Sequence, residues 1–155
     1  SRQRRQVSLR GVLEGPMIRL KTSDLDVIKQ IAQETYPHEC CGIMVGSVDG
    51  DIKSVDELVP AINERTDSLA NRYLITADFV QKLEARLRGT DSSIVGFFHS
   101  HPDVPARPSA YDQEHAWPWY SYLIVSVIKG EAHEVWNWKL KDDRSAFDPE
   151  DIEFH

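Results

Sequence analysis

The sequence predicts one mixed α/β (α+β) domain in which helices flank a largely antiparallel sheet. Short apolar runs bounded by turn residues indicate strands, and segments with apolar residues at helical spacing alternate with them. The 155 residues are 41% apolar and include four Trp, which is enough to bury a core in one domain. We expect a basic tail over residues 1–15 and a single domain over residues 16–155.

Seven segments are predicted to be strands because they are short, apolar and rich in β-branched or aromatic residues. They cover residues 16–20, 41–46, 52–59, 73–75, 94–98, 122–128 and 133–140. Asp49-Gly50 and Lys129-Gly130 are hairpin signals, so each is expected to join two antiparallel neighbours. Residues 62–71 are polar and aperiodic, which predicts a loop.

Helices are predicted where apolar residues recur every three or four positions next to capping residues. Ser23 is the expected N-cap of the first helix, and Pro37 ends its pattern. Thr76 is the expected N-cap of a second helix, which Gly89 terminates. A short third helix is predicted over residues 109–116.

The formal net charge of -7 argues against nucleic-acid or anionic-membrane binding, because both need a basic surface. No apolar run approaches the roughly 18 residues that a membrane span needs. Cys40 and Cys41 are neighbours and therefore poor candidates for a disulfide with each other, which favours a reducing, cytoplasmic location. The sequence does not set the oligomeric state, and a homodimer is one option.

Two histidines follow the strand predicted over residues 94–98. His99 and His101 are two positions apart, so in an extended chain their side chains point to the same face and can share a metal ion. His is a common zinc ligand. Pro102 is expected to end the strand.

A proline-rich loop then returns the chain towards these histidines. Residues 102–108 contain three prolines, which make the loop stiff, and Ser109 opens the helix that carries Asp112. Two imidazoles and one carboxylate leave a fourth tetrahedral position for water, as in catalytic rather than structural Zn²⁺ sites. Glu39 is the candidate general base, since it lies at the junction of the first helix and a buried strand.

The same residues carry a resemblance to a known family. Residues 37–42, followed by the run from His99 to Asp112, resemble the JAMM (MPN+) zinc metalloproteases. Their signature is an upstream Glu, then His-x-His-Pro, six residues, Ser, two residues and Asp. This sequence matches it in order with Glu39, His99, His101, Pro102, Ser109 and Asp112. The resemblance covers about residues 16–145 and implies a cytidine-deaminase-like JAMM/MPN fold.

Roles for the matching residues follow from that resemblance. His99, His101 and Asp112 would bind one Zn²⁺, Glu39 would be the general base and then the acid, and Ser109 would hydrogen-bond the water or the developing oxyanion. The substrate would be an amide bond after the C-terminal Gly-Gly tail of a ubiquitin-fold protein. The tail would add as an extended strand in a narrow groove.

The lengths of the loops between the motif residues indicate the branch of the family. Only the ten residues 62–71 form the first variable loop, and nine residues separate Asp112 from Tyr122. This compact form is similar to prokaryotic members, which favours ThiS- or MoaD-like sulfur carriers over ubiquitin-like conjugates. A deubiquitinase-like enzyme and a non-catalytic MPN scaffold are the alternatives.

Several simpler explanations stay open for single residues. Ser109 could serve only as a helix N-cap, with Asp112 completing a capping box, and Glu39 could be an exposed helix-end carboxylate. Cys40 or Cys41 could be the nucleophile of a cysteine hydrolase. The aromatic cluster is expected mainly in the core, with a partner-binding surface as the second hypothesis; its members are Trp117, Trp119, Tyr120 and Tyr122.

Overall fold

The computed structural model describes residues 15–61 and 75–155. Its strands are β1 (Met17–Leu20), β2 (Cys41–Asp49), β3 (Ile52–Ala61), β4 (Ser93–Pro102), β5 (Ser121–Ile128), β6 (Glu131–Leu140), β7 (Phe147–Pro149) and β8 (Asp151–Phe154). Its helices are α1 (Thr22–Thr35), α2 (Ala77–Leu87) and α3 (Ala110–His115). The predicted tail over residues 1–15 and loop over residues 62–71 lie outside the described residues, apart from Gly15. So do the first two positions of the strand predicted over residues 73–75.

The described strands form one mixed sheet in the order β7-β6-β5-β4-β2-β3-β1-β8. Four neighbouring pairs are antiparallel. The β4–β5, β1–β3 and β1–β8 pairs are parallel. The predicted fold class, a largely antiparallel mixed sheet flanked by helices, is therefore confirmed. The central position of β4 matters most here, because this strand carries the two histidines.

The sheet curls so that its two edges approach each other. β7 and β8 lie at opposite edges of the sheet, yet only Glu150 separates them in the chain. The buried face of α1, with Ile28 and Ala32, packs inside the curve against Phe98 and Leu123. Burial of this apolar face holds α1 against the strands that carry the site. Sequence patterns did not predict β7 and β8, since three or four residues are too few to show periodicity.

A buried polar cluster closes the gap at Glu150. The Lys53 ammonium lies 3.8 Å from Glu150 Oε2 and donates to the Trp119 carbonyl at 2.7 Å. Glu150 Oε1 accepts hydrogen bonds from the Ser121 hydroxyl and from Asn137 Nδ2. Both charged side chains are nearly inaccessible, so they stabilise the fold only as a pair.

Removing the cation alone is expected to be strongly destabilising. Lys53→Met leaves the Glu150 carboxylate buried without its partner, which should lower the free energy of unfolding by about 3–5 kcal/mol. The double variant Lys53→Met/Glu150→Gln should cost much less than Lys53→Met, because no buried charge is left uncompensated. Urea denaturation measures both values, and an unchanged midpoint for Lys53→Met would show that the pair does not stabilise the fold.

Two local predictions are corrected by the structure. Ser23 is not the N-cap of α1: the cap position is Lys21, with no side-chain cap hydrogen bond. The Thr22 amide instead donates to the carbonyl of His155 at 2.9 Å, as an extension of the parallel β1–β8 pairing. The histidines lie inside β4 rather than beyond it, because pairing with β5 continues as far as Pro102.

Two further predictions concern membrane spans and disulfides. None of the helices in the described residues is long and apolar enough to cross a membrane. Cys40 and Cys41 are both buried free thiols, as expected for neighbouring cysteines.

Candidate metal centre

His99 and His101 project from the same face of β4, as their spacing predicts. Both are almost completely buried, with exposed fractions of 1% and 4%. Their Nε2 atoms lie 3.2 Å apart. Two ring nitrogens that face each other at this distance converge on one point, which a single ion could occupy.

Asp112 reaches the same point from α3. Its Oδ2 lies 3.2 Å from His101 Nε2, and its Oδ1 lies 3.4 Å from His99 Nε2. Within the described parts of the chain, these three buried side chains form a group that could hold a metal ion, with ligand atoms all within 4.8 Å of one another. Two imidazole nitrogens and a carboxylate oxygen suit Zn²⁺.

The start of α3 fixes the Asp112 carboxylate in place. Ser109 is the N-cap, and its Oγ accepts a hydrogen bond from the Asp112 amide at 3.1 Å. In return, Asp112 Oδ2 accepts from the Ser109 amide at 2.8 Å, which completes a capping box. The structural role considered for Ser109 is therefore present, and it holds the carboxylate that faces the histidines.

The proline-rich loop also orients His101. Its Nδ1 lies 3.0 Å from the carbonyl oxygen of Pro105, and a carbonyl can only accept. Nδ1 therefore carries a proton, and Nε2 is the ring nitrogen placed to ligate a metal at the convergence point. The sequence predicted a stiff loop here but not this contact, since any residue in the loop offers a carbonyl.

Burial and neighbouring groups set the charge states at the site. Burial lowers the pKa of His99, which favours the neutral imidazole that a metal needs. Burial alone would raise the pKa of Asp112. The adjacent His99 and the hydrogen bonds from His101 and Ser109 outweigh that effect, however, and hold the pKa well below its usual range. The carboxylate is thus ionised at neutral pH.

Glu39 lies two residues before the start of β2, the antiparallel neighbour of β4. Cys41 lies opposite His99 in this antiparallel pair. The pairing continues past the end of β2, because the Cys40 amide donates to Ser100 Oγ at 2.8 Å and the Ser100 amide donates to the Cys40 carbonyl at 3.2 Å. One more step of the same register would set Glu39 opposite His101. Its exposed fraction is 3%, so it is not the exposed helix-end carboxylate that was considered.

The buried cysteines are poorly suited to nucleophilic chemistry. Burial raises the pKa of the Cys40 thiol to about 11, although a hydrogen bond with the Ser100 side chain opposes the effect. A thiol with this pKa carries almost no thiolate at neutral pH. Cys41 is also fully buried, so neither residue supports the cysteine-hydrolase alternative.

The aromatic cluster divides between core and surface. Tyr122 is buried, whereas Trp117 and Trp119 are 64% and 47% exposed, so the expected core position is wrong for both Trp residues. Beside them, a cavity of about 410 Å³ lies between α2 and α3 and is lined by Phe97 and Tyr120 among others. Phe97 is two positions before His99 on β4, which places the cavity next to the candidate metal centre.

A family model matches this chain over most of its length. Residues 21–141 match the family described as prokaryotic homologs of the JAB domain, and the chain belongs to that family. The resemblance to JAMM/MPN proteins inferred from the motif is thereby confirmed.

Individual relatives agree with this membership. Desampylase of Haloferax volcanii is 38% identical over 91 residues, which cover 58% of this chain and 63% of that protein. A protein of solved structure from Salinibacter ruber is 38% identical, covers 90% of this chain and 92% of its own, and superimposes with a TM-score of 0.68. A JAB1/MPN domain protein from Archaeoglobus fulgidus has the same fold at 17% identity, with a TM-score of 0.54 over 89% of this chain and 97% of its own. The chain spans just under two thirds of the length of desampylase.

Proposed function

We propose that this chain is a zinc-dependent hydrolase that cleaves the amide bond after the C-terminal Gly-Gly tail of a ubiquitin-fold protein. One observation carries the proposal. The ligand atoms of the buried His99, His101 and Asp112 lie within 4.8 Å of one another, and the buried Glu39 lies two residues before the Cys41–His99 pair of β2 and β4. A scaffold has no need for this combination of ligands and base.

His99, His101 and Asp112 would hold the metal. Bound Zn²⁺ would lower the pKa of a water molecule and polarise the carbonyl of the scissile bond. The Asp112 carboxylate is ionised and His101 Nε2 already lies 3.2 Å from it, so the ligands need little rearrangement.

Glu39 would handle the proton. Its carboxylate is not a member of the ligand group, so it is available to accept a proton from the attacking water and to pass it to the leaving amine. Its buried position keeps bulk water from competing for that proton.

Ser109 would stabilise the developing oxyanion. Its Oγ accepts from the Asp112 amide, but the hydroxyl proton stays available to donate. The hydroxyl lies at the N-terminal cap of α3, on the same capping box as the Asp112 carboxylate.

The cap and oxyanion roles of Ser109 can be separated by substitution. Ser109→Ala should lower the free energy of unfolding by about 1 kcal/mol, whereas Ser109→Gly should cost only a few tenths, because glycine is an acceptable N-cap. Both should reduce kcat by about 100-fold or more if the hydroxyl donates to the oxyanion. Ser109→Thr should retain activity. Unimpaired turnover in Ser109→Gly would restrict Ser109 to the capping role.

The substrate class is supported by the relatives. The name desampylase describes an enzyme that removes a ubiquitin-like modifier, which favours a ubiquitin-like substrate with a peptide or isopeptide bond at its tail. Processing of a ThiS- or MoaD-like sulfur carrier stays a prediction. The ubiquitin-like assignment now has the stronger support, which reverses the preference drawn from the compact loops.

A cleavage assay tests the proposal. The zinc-loaded protein is incubated with ubiquitin-like proteins and with ThiS- or MoaD-like carriers, each bearing a C-terminal extension or a lysine-linked conjugate. We expect cleavage that a chelator abolishes and added Zn²⁺ restores, while a thiol alkylator has no effect because both cysteines are buried. Cleavage that the alkylator stops and the chelator does not would contradict the proposal.

A further inference from the structure

Asp103 is held by three hydrogen bonds in a backbone conformation that few L residues adopt. Its φ is 59°, a region where glycine is least strained and Asp is tolerated. Its amide donates to the Val127 carbonyl at 2.7 Å, and its Oδ1 accepts from the Lys129 amide at 2.8 Å. Its Oδ2 accepts from the Tyr36 hydroxyl at 2.7 Å. The carboxylate therefore makes contacts that glycine could not make.

The Tyr36–Asp103 hydrogen bond joins the two segments that carry the proposed chemistry. Tyr36 is the C-cap residue of α1 and lies three positions before Glu39. Asp103 lies two positions after His101. The bond therefore ties the chain that delivers the base to the chain that delivers a ligand, within a few residues of both.

The loop after Asp103 leads directly to the carbonyl that lies beside His101. The Ser126 hydroxyl donates to the Val104 carbonyl at 2.6 Å, and the Pro105 carbonyl accepts from His101 Nδ1 at 3.0 Å. A shift of Asp103 would move the carbonyl that orients the ring. Glu39 and His101 thus each lie within three residues of one partner of the same hydrogen bond.

We propose that Tyr36 and Asp103 form a clamp of positioning residues that sets the separation between Glu39 and His101. Neither side chain belongs to the ligand group: Asp103 is exposed, and Tyr36 is half-buried against the core. The catalytic consequence of the clamp rests on the proposed function. Its structural consequence, a fixed spacing of the two segments, does not.

Tyr36→Phe removes the hydroxyl and leaves the ring. We expect kcat to fall by about 10- to 100-fold, the range for a small misplacement of reacting groups, while KM, zinc content and Tm stay unchanged. Gln33→Ala is the matched control. Its Oε1 accepts from the Ala132 amide at 2.9 Å, a contact from α1 to β6 that does not involve Asp103, so kcat should be unaffected.

Asp103→Gly tests the other partner without strain, because glycine accepts the positive φ. It should reduce kcat at least as much as Tyr36→Phe, and the double variant should be no worse than Asp103→Gly alone. Additive losses, or an equal loss in Gln33→Ala, would overturn the clamp in favour of general destabilisation.

Hydrogen exchange provides a measurement that does not depend on activity. In the metal-free protein, Tyr36→Phe should speed amide exchange in both residues 38–40 and residues 103–104, whereas Gln33→Ala should change neither. Unchanged exchange in both segments would overturn the clamp even if the enzyme cleaves its substrate. Faster exchange together with an inactive wild-type protein would support the clamp and contradict the proposed function.

Discussion

Replacing His101 with Ala is expected to abolish both metal binding and turnover. The substitution removes one of the two imidazole ligands. It also removes the ring nitrogens that contact the Pro105 carbonyl and, at 3.2 Å, the Asp112 carboxylate. Loss of a residue that only hydrogen-bonds to a metal ligand costs about 10- to 100-fold in metal affinity. Loss of a ligand itself should therefore cost at least the upper end of that range. Zinc content of the purified variant, measured by atomic emission, checks the prediction.

His133→Ala is the matched control for this experiment. His133 is an exposed histidine on β6, so its removal should leave zinc content and activity unchanged. Normal zinc content in His101→Ala, with His133→Ala also normal, would remove His101 from the ligand set.

Glu39→Gln is expected to separate metal binding from catalysis. The amide has the same size as the carboxylate but cannot accept a proton, so kcat should fall by about 100- to 10,000-fold. Zinc content should be unchanged because Glu39 is not in the group of converging ligands. Zinc analysis and single-turnover cleavage of the same preparation measure both quantities.

Glu34→Gln supplies the comparison for Glu39. This glutamate lies on the exposed side of α1 and accepts a hydrogen bond from Gln30, so its neutralisation should not affect turnover. A Glu39→Gln enzyme as active as Glu34→Gln would exclude Glu39 as the base, and a different group would have to accept the proton.

Local patterns predicted the parts of the site that local geometry determines. The alternation of side chains along a strand placed His99 and His101 on one face. The capping preferences of Ser and Thr predicted the starts of α3 and α2, where Thr76 accepts from the Phe79 amide at 3.2 Å. These features depend on residues within one turn or one strand, which a sequence shows directly.

The rest depended on pairing between distant segments. Cys41 lies opposite His99 only because β2 and β4 adopt one register, and the proposed placement of Glu39 beside His101 follows from that register. A one-residue slip would turn these side chains to the opposite face. The true start of α1 depends on His155, which is remote in the sequence. The parallel β4–β5 pairing, which extends β4 through both histidines, likewise has no local signature.

The most direct test of the central claim is to measure, by mass spectrometry, the product formed in ¹⁸O-labelled water. The zinc-loaded protein is given a ubiquitin-fold substrate whose Gly-Gly tail carries a C-terminal extension. Hydrolysis of the amide predicts a product that ends at the second glycine, with one heavy oxygen atom in its new carboxylate. An intact substrate after incubation with fully metallated, folded protein, or cleavage at another bond, would contradict the account.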